Sequence, residues 1–228
     1  SSVRITVKVA RQQGGFPVVA ESLFYSLNNA PFVRLPLVYN AADSTYGAGI
    51  PQQPVGTFVH YFIQAQDSAG NIATLTSSAF GGAASDTSKG FFFYTVLDRP
   101  LTIHDLQYTP YLNGRTPYLG AFVTVSGVVT ADTLHVGASP LNTGGTNAWY
   151  MQSGAAPWNG LWFVGSDLDL IDLRNGDSIS VSGFVGEQFD VTRLSGVQSP
   201  ITVLSTGNPE PAPPVSTTGT FGPIVGNG

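Results

Sequence analysis

The chain has three histidines, His60, His104 and His135, and they lie far apart in sequence. None has the spacing that places two imidazoles on one metal ion. There is no cysteine, which removes thiol catalysis, thiolate zinc sites and any disulfide framework. No nucleophile elbow, P-loop or dinucleotide fingerprint occurs. Carboxylates cluster at Asp167, Asp169 and Asp172. Calcium takes such sets, but the interleaved leucines, Leu168 and Leu170, read instead as an amphipathic turn, with Ser166 or Asp167 capping a short helix. Calcium stays open there as the alternative. These residues predict no catalytic set, no metal site and no cofactor.

The remaining residues with binding chemistry are aromatic. In residues 160–164, Gly-Leu-Trp-Phe-Val, strand alternation that turns Leu161 and Phe163 inward turns Trp162 outward. In residues 148–152, inward Trp149 and Met151 leave Tyr150 and Gln152 outward. Arg193 lies between inward Thr192 and Leu194, and Trp158 falls in the turn between the two aromatic strands. Tyr150, Gln152, Trp158, Trp162 and Arg193 are therefore the candidate ligand-binding residues, one aromatic patch flanked by the long loop 131–147. A large exposed indole concentrates at contacts, so Trp162 is expected to be partly exposed and to meet a ligand or another module. Packing against a neighbouring module is the competing use of the same patch.

The elements that must hold these residues are strands. The 228 residues include 27 Gly and 16 Pro, which leaves little room for long helices. Hydrophobic residues make up 42%, enough for a packed core. Residues 4–9, Arg-Ile-Thr-Val-Lys-Val, alternate with period two, as a half-buried strand does. Residues 22–27 and 32–38 read as two more strands, and 57–65 as the strongest. Asp67-Ser-Ala-Gly-Asn71 is a tight turn, and 91–96 closes the series. After Asp98, Arg99 and Pro100 the frame Val-Thr-Val-Ser-Gly-Val-Val (123–129) is echoed by Ile-Ser-Val-Ser-Gly-Phe-Val (179–185). Glycine inside such strands marks a bulge or the bend of a small barrel. With 148–152, 160–164, 189–194 and 201–204 this makes five or six short strands in about 100 residues, which fits a small Greek-key barrel.

Two resemblances follow from these phrases. Residues 46–71, from Tyr-Gly-Ala-Gly-Ile-Pro through Gly-Thr-Phe-Val-His-Tyr-Phe to Asp-Ser-Ala-Gly-Asn, resemble bacterial fibronectin-III/immunoglobulin-like modules. The resemblance spans roughly 3–97 and implies a β-sandwich, with the usual first strand missing. Residues 176–187, Gly-Asp-Ser-Ile-Ser-Val-Ser-Gly-Phe-Val-Gly-Glu, followed by Thr-Arg-Leu at 192–194, resemble the OB-fold modules of secreted bacterial nucleases and multidomain surface proteins. In that family a Pro-rich linker leads onward, and residues 209–218 match one. The expected fold is all-β: an immunoglobulin/fibronectin-III-like sandwich over 1–97, an OB-fold-like barrel over 98–208, and a Pro/Gly/Thr-rich linker or tail over 209–228.

Charge divides unevenly between these parts. Residues 1–97 carry five basic and four acidic side chains, and 98–208 carry four basic and nine acidic, none of the basic ones a lysine. Nucleic-acid affinity rests largely on Lys and Arg against phosphates, which makes nucleic acid the less favoured partner of this barrel. A glycan tolerates acidic surroundings. The reading is a non-catalytic structural or adaptor segment of a larger secreted or surface-assembled protein, whose partners are neighbouring domains or identical subunits. The alternative is a ligand-binding barrel, for single-stranded nucleic acid or glycan, accessory to a secreted hydrolase such as a nuclease. The cysteine-free, Ser/Thr/Gly/Asn-rich composition, with only two lysines, suits an exported, extracellular protein. No run approaches the ~20 apolar residues of a membrane-spanning helix.

Overall fold

The structure is a computed structural model describing residues 2–10, 14–82, 85–111, 114–131, 147–165, 173–189 and 191–212. The chain is all-β and forms two compact units. One comprises Ser1–Pro100 with Thr109–Pro117, the other Leu101–Tyr108 with Tyr118–Gly228.

The first unit is a sandwich. One sheet has the order β1 (Val3–Val7), β5 (Thr45–Ile50), β4 (Val38–Asn40). The other runs β3 (Val33–Pro36), β2 (Val18–Leu27), β6 (Phe58–Asp67), β7 (Ile72–Leu75), and β8 (Phe92–Thr95) also pairs with β6. Strands β7 and β8 lie antiparallel along successive halves of β6, at Ile63–Gln66 and Phe58–Tyr61 respectively. The inner faces meet in a core of Leu23, Tyr25, Leu37, Ile50, Val59 and Ile63, with Ile5 and Val7 of β1 packed at its margin. As expected, Asp67 forms the turn after β6. Its carboxylate accepts from the backbone N–H groups of Ala69 and Asn71, both at 2.9 Å. These hydrogen bonds, led by that from the Asn71 side chain, hold its pKa below the usual carboxylate value.

Residues 32–38, expected as one strand, form two. β3 pairs with β2 and β4 pairs with β5, so the chain changes sheets between Pro36 and Val38. Pro36 has no N–H to extend the β2–β3 ladder, and Leu37 is buried in the core. Leu37 still donates its N–H to the Glu21 carbonyl of β2 at 3.0 Å, so the change of sheets follows it, which alternation alone does not reveal.

The outer face of the second sheet is unusually aromatic. Phe24 stacks on Phe62 at 4.9 Å, and Phe32, Phe58 and Phe91 surround His60 at 5.1–5.5 Å between ring centroids. Tyr111, from the returning segment Thr109–Pro117, stands edge-on to Phe91 and Phe93. His60 is 6% exposed and its Nδ1 has no hydrogen-bond partner among the described residues. Burial lowers its pKa, because the charged imidazolium loses water and gains nothing in return. The unfolded chain therefore takes up the proton first, near pH 6.5. Stability contributed by neutral His60 is full above that pH and falls as the pH drops through the lower, folded-state value. The sandwich should melt at lower temperature at pH 5 than at pH 7, and His60→Phe should flatten that slope. An unchanged slope in the variant would assign the acid sensitivity to other groups.

The second unit is a closed five-stranded barrel. Its order is β13 (Val191–Ser195), β11 (Gly160–Gly165), β10 (Asn147–Gln152), β9 (Phe122–Ala131), β12 (Ser178–Gln188), and β12 pairs with β13 to close the ring. β14 (Thr202–Ser205) extends the sheet beyond β12, and the contact of β11 with β13 is parallel. The two echoed segments are adjacent antiparallel partners, with Val125 opposite Val181. Their glycines sit where another strand comes close. A Cβ on Gly127 would lie 3.0 Å from the Gln152 carbonyl oxygen, and one on Gly183 would lie 3.0 Å from that of Ser195. Valines of both segments join Trp149, Met151, Leu161, Phe163 and Leu194 in one core. A five-residue helix, α1 (Ile103–Gln107), adds Ile103 and Leu106 to it. Thr102 and Asp105 form a reciprocal capping box at its start. The short helix expected beside Asp167 lies outside the described residues, as do His135, Asp169, Asp172 and most of loop 131–147.

Candidate functional site

The site is built on the outward face of β10, β11 and β13. Tyr150 lies directly opposite Trp162 on β10–β11, and Trp162 pairs with Arg193 on β11–β13. These registers line up Tyr150, Trp162 and Arg193 across three strands, as alternation predicts. The Arg193 guanidinium carbon stands 5.2 Å from the Trp162 ring centroid, a cation–π contact. Burial lowers the Arg193 pKa from its ordinary value, although an arginine remains charged at any physiological pH.

The expected exposure of Trp162 is not observed. The indole is 3% exposed. It forms a small second core with Ala148 and Val164, and Tyr150 packs against them. The barrel thus buries apolar side chains on both faces of β10–β11, with Leu161 and Phe163 on the inner side. Alternation correctly assigned the face but not whether that face is covered. Among the described residues the buried Trp162 Nε1 has no hydrogen-bond partner, an expensive state for an amide-like donor. Trp158 also departs from the patch. It sits in the β10–β11 turn at positive φ, 45% exposed, edge-on to Tyr108 at 6.2 Å. His104 stacks on the other partner of that pair, Tyr108, at 5.4 Å.

A cleft of about 300 Å³ opens beside Trp162, lined by Gln107, Thr130, Tyr150, Gln152 and Val191 among others. Three of the five, Gln107, Thr130 and Val191, were not anticipated from sequence. Gln107 comes from α1, and its amide donates to the Gly160 carbonyl at 2.7 Å, tying the helix to the start of β11. Only the Thr102/Asp105 capping box could have signalled that helix. Among the described residues the lining holds no carboxylate and no imidazole, and it offers amide, hydroxyl and indole groups for hydrogen bonding and stacking.

No protein-family model matches the chain, and no curated protein does either.

Among the described residues no group of three His, Cys, Asp or Glu side chains is placed to hold a metal ion. No helix among them is long and apolar enough to cross a membrane. The buried indole has a direct optical consequence. With Trp149 and Trp158 changed to Phe, the remaining Trp162 should emit blue-shifted light and resist iodide quenching. Red-shifted, readily quenched emission would mean that the small second core is open.

Proposed function

We propose that this chain is a non-catalytic structural or adaptor segment of a larger secreted or surface-assembled protein, joining an immunoglobulin/fibronectin-III-like sandwich to an OB-fold-like barrel. The observation that carries this reading is the edge of the first sheet. Among the described residues β1 pairs with β5 alone. Its inward residues Ile5 and Val7 are only half-buried, and Val3 is exposed. A regular edge strand with unpaired N–H and C=O groups is where a sheet takes up another strand. The test has two arms. Labelling on intact cells of the source should find the protein at the surface. The purified chain should show no turnover of nucleic acid, phosphate ester or glycoside, and turnover lost on one substitution within the chain would make it an enzyme.

A second reading rests on the cleft. Among the described residues the lining is uncharged and the buried Trp162 Nε1 has no hydrogen-bond partner, which suits a neutral, hydroxyl-rich ligand such as a glycan better than a polyanion. The barrel region has no lysine and more than twice as many acidic as basic residues, which weakens any phosphate-based affinity. A glycan array run beside a salt-dependent titration with single-stranded DNA separates the two ligands. Sub-micromolar DNA binding at ordinary salt would reverse the preference.

A further inference from the structure

Trp158 combines two features that oppose each other. Its backbone is left-handed, at a φ of 69°, a conformation that strains a residue with a Cβ and that glycine takes freely. Yet the residue is 45% exposed, so the core does not require its ring there. The turn is nonetheless built to hold it. The Ser153 N–H donates to the Asn159 carbonyl at 3.0 Å, and the Asn159 amide donates to the carbonyls of Ala156 and Pro157, both at 3.2 Å. The Ser153 hydroxyl donates back to Asn159 Oδ1 at 3.0 Å. Against the indole stands Tyr108, also exposed, with the two ring planes at 88°. His104 stacks on Tyr108 with planes 10° apart. The helix that presents both rings, α1, is tied to β11 by Gln107 through the Gly160 carbonyl. All of these residues belong to the second unit. Two aromatic walls at right angles are thus exposed on the barrel, one on a clamped turn and one on an anchored helix. Strained backbone that the surroundings hold in place is characteristic of ligand-binding positions.

We infer that this corner binds a neutral glycan of β-linked, gluco-configured pyranoses. A pyranose whose hydroxyls are all equatorial presents a flat face of axial C–H groups. Those hydrogens carry partial positive charge, and the face of an indole carries partial negative charge. Stacked on Trp158, the sugar covers the exposed ring and leaves its hydroxyls directed sideways. Gln107 and Gly160 line the neighbouring cleft, the first adjacent in sequence to Tyr108 and the second two residues from Trp158. A β-linked chain is extended and flat, so it lies over the corner and runs on into the cleft, where the Gln107 and Gln152 amides meet hydroxyls. An α-linked chain of the same sugar curls and does not follow both. The excess of acidic over basic side chains in the barrel region repels anionic polymers, which favours a neutral chain. The ring contacts are rigid before the ligand arrives, which lowers the entropy lost on binding. This inference rests on the second reading above, that the barrel takes a glycan, and adds to it the stacking residue and the sugar's configuration.

The test uses the full chain with cellohexaose, chitohexaose, maltohexaose and an oligoproline peptide as probes. Trp149 and Trp162 are each 3% exposed, so Trp158 is the indole that iodide reaches. Cellohexaose or chitohexaose should shield it from quenching, and maltohexaose should bind more weakly by about tenfold. In calorimetry Trp158→Gly should weaken the β-linked chain by about tenfold or more. Glycine takes the left-handed turn without strain, so this variant should melt no lower than the wild type. Tyr108→Ala, which leaves the turn untouched, should weaken binding as well. Binding that persists in both variants would overturn the aromatic corner and leave the glycan reading of the cleft standing. Equal binding of maltohexaose would overturn the β-linked chain as the ligand. Shielding by oligoproline and by no sugar would overturn the glycan in favour of a protein partner. Failure of both β-linked chains to bind would overturn the inference outright, whereas the wider glycan reading stands or falls on the array.

Discussion

Phe163→Ala should cost the barrel about 3–5 kcal/mol. Phe163 is fully buried, stacks on Trp149 with centroids 6.3 Å apart, and belongs to the core that joins β9 to β13. Its ring has no route to water, and its neighbours sit on a closed ring of strands that cannot collapse freely into the cavity. Domains of this size are stable by only about 5–15 kcal/mol in total, so the loss would leave the barrel near its unfolding threshold. The expected result is a large fall in the denaturant midpoint reported by barrel resonances such as Val125 and Val181. Methyl signals of Leu23 and Val59, in the separate core of the sandwich, should keep their dispersion. A change below about 1 kcal/mol would mean that the site repacks, and that the barrel is looser than its close-packed core implies.

Gly127→Val should be the other severe substitution, although it adds atoms rather than removing them. The first added carbon would meet the Gln152 carbonyl oxygen at 3.0 Å and Ile103 Cδ1 at 3.0 Å. The Ile103 methyl can move. The carbonyl belongs to the β9–β10 ladder, where Gln152 pairs with Val128, and cannot move without opening it. Overpacking of this kind costs about 1–3 kcal/mol and sometimes more. Damage should concentrate at β10 and α1, and therefore at the cleft that both line. Hydrogen exchange should show the amides of Met151 and Gln152 losing protection before those of β12 and β13. A Gly186→Val control places its Cβ 3.9 Å from its nearest neighbour, the Ser195 hydroxyl, so it should be much milder. Equal effects at the two glycines would rule out steric crowding at Gly127 as the cause.

These two residues show where sequence reading works. The echoed frame around Gly127 and Gly183 marked two strands with a bulge or bend at an internal glycine, and the structure shows that each glycine sits where another strand's carbonyl comes close. Alternation likewise placed Leu161, Phe163, Trp149 and Met151 in the core and put Tyr150, Trp162 and Arg193 on the opposite face. Each of these depends on side-chain period alone, which is local. The exposure of Trp162 is not local. Whether an outward indole meets water depends on what lies over it, and no count of neighbours in sequence contains that. Trp158 left the patch for a similar reason: its left-handed turn conformation directs it toward Tyr108, a residue contributed by a stretch about fifty positions earlier.

The sequence by itself determined that this chain is all-β, because period-two hydrophobicity broken by glycine and proline admits little else. It also determined the inward and outward faces of the main strands, the Asp67 turn and the unequal charge of the two regions. Tertiary structure alone decided which strands pair. The parallel contact of β11 with β13, the change of sheets at Leu37 and the return of Tyr111 to the aromatic face all join residues whose partners are remote in sequence. It also decided the cleft, which exists because α1 brings Gln107 to β11. The physical reason is the same throughout. Backbone geometry sets the side-chain period within a strand, whereas hydrogen-bond partners and burial are settled only when distant segments compete for one core.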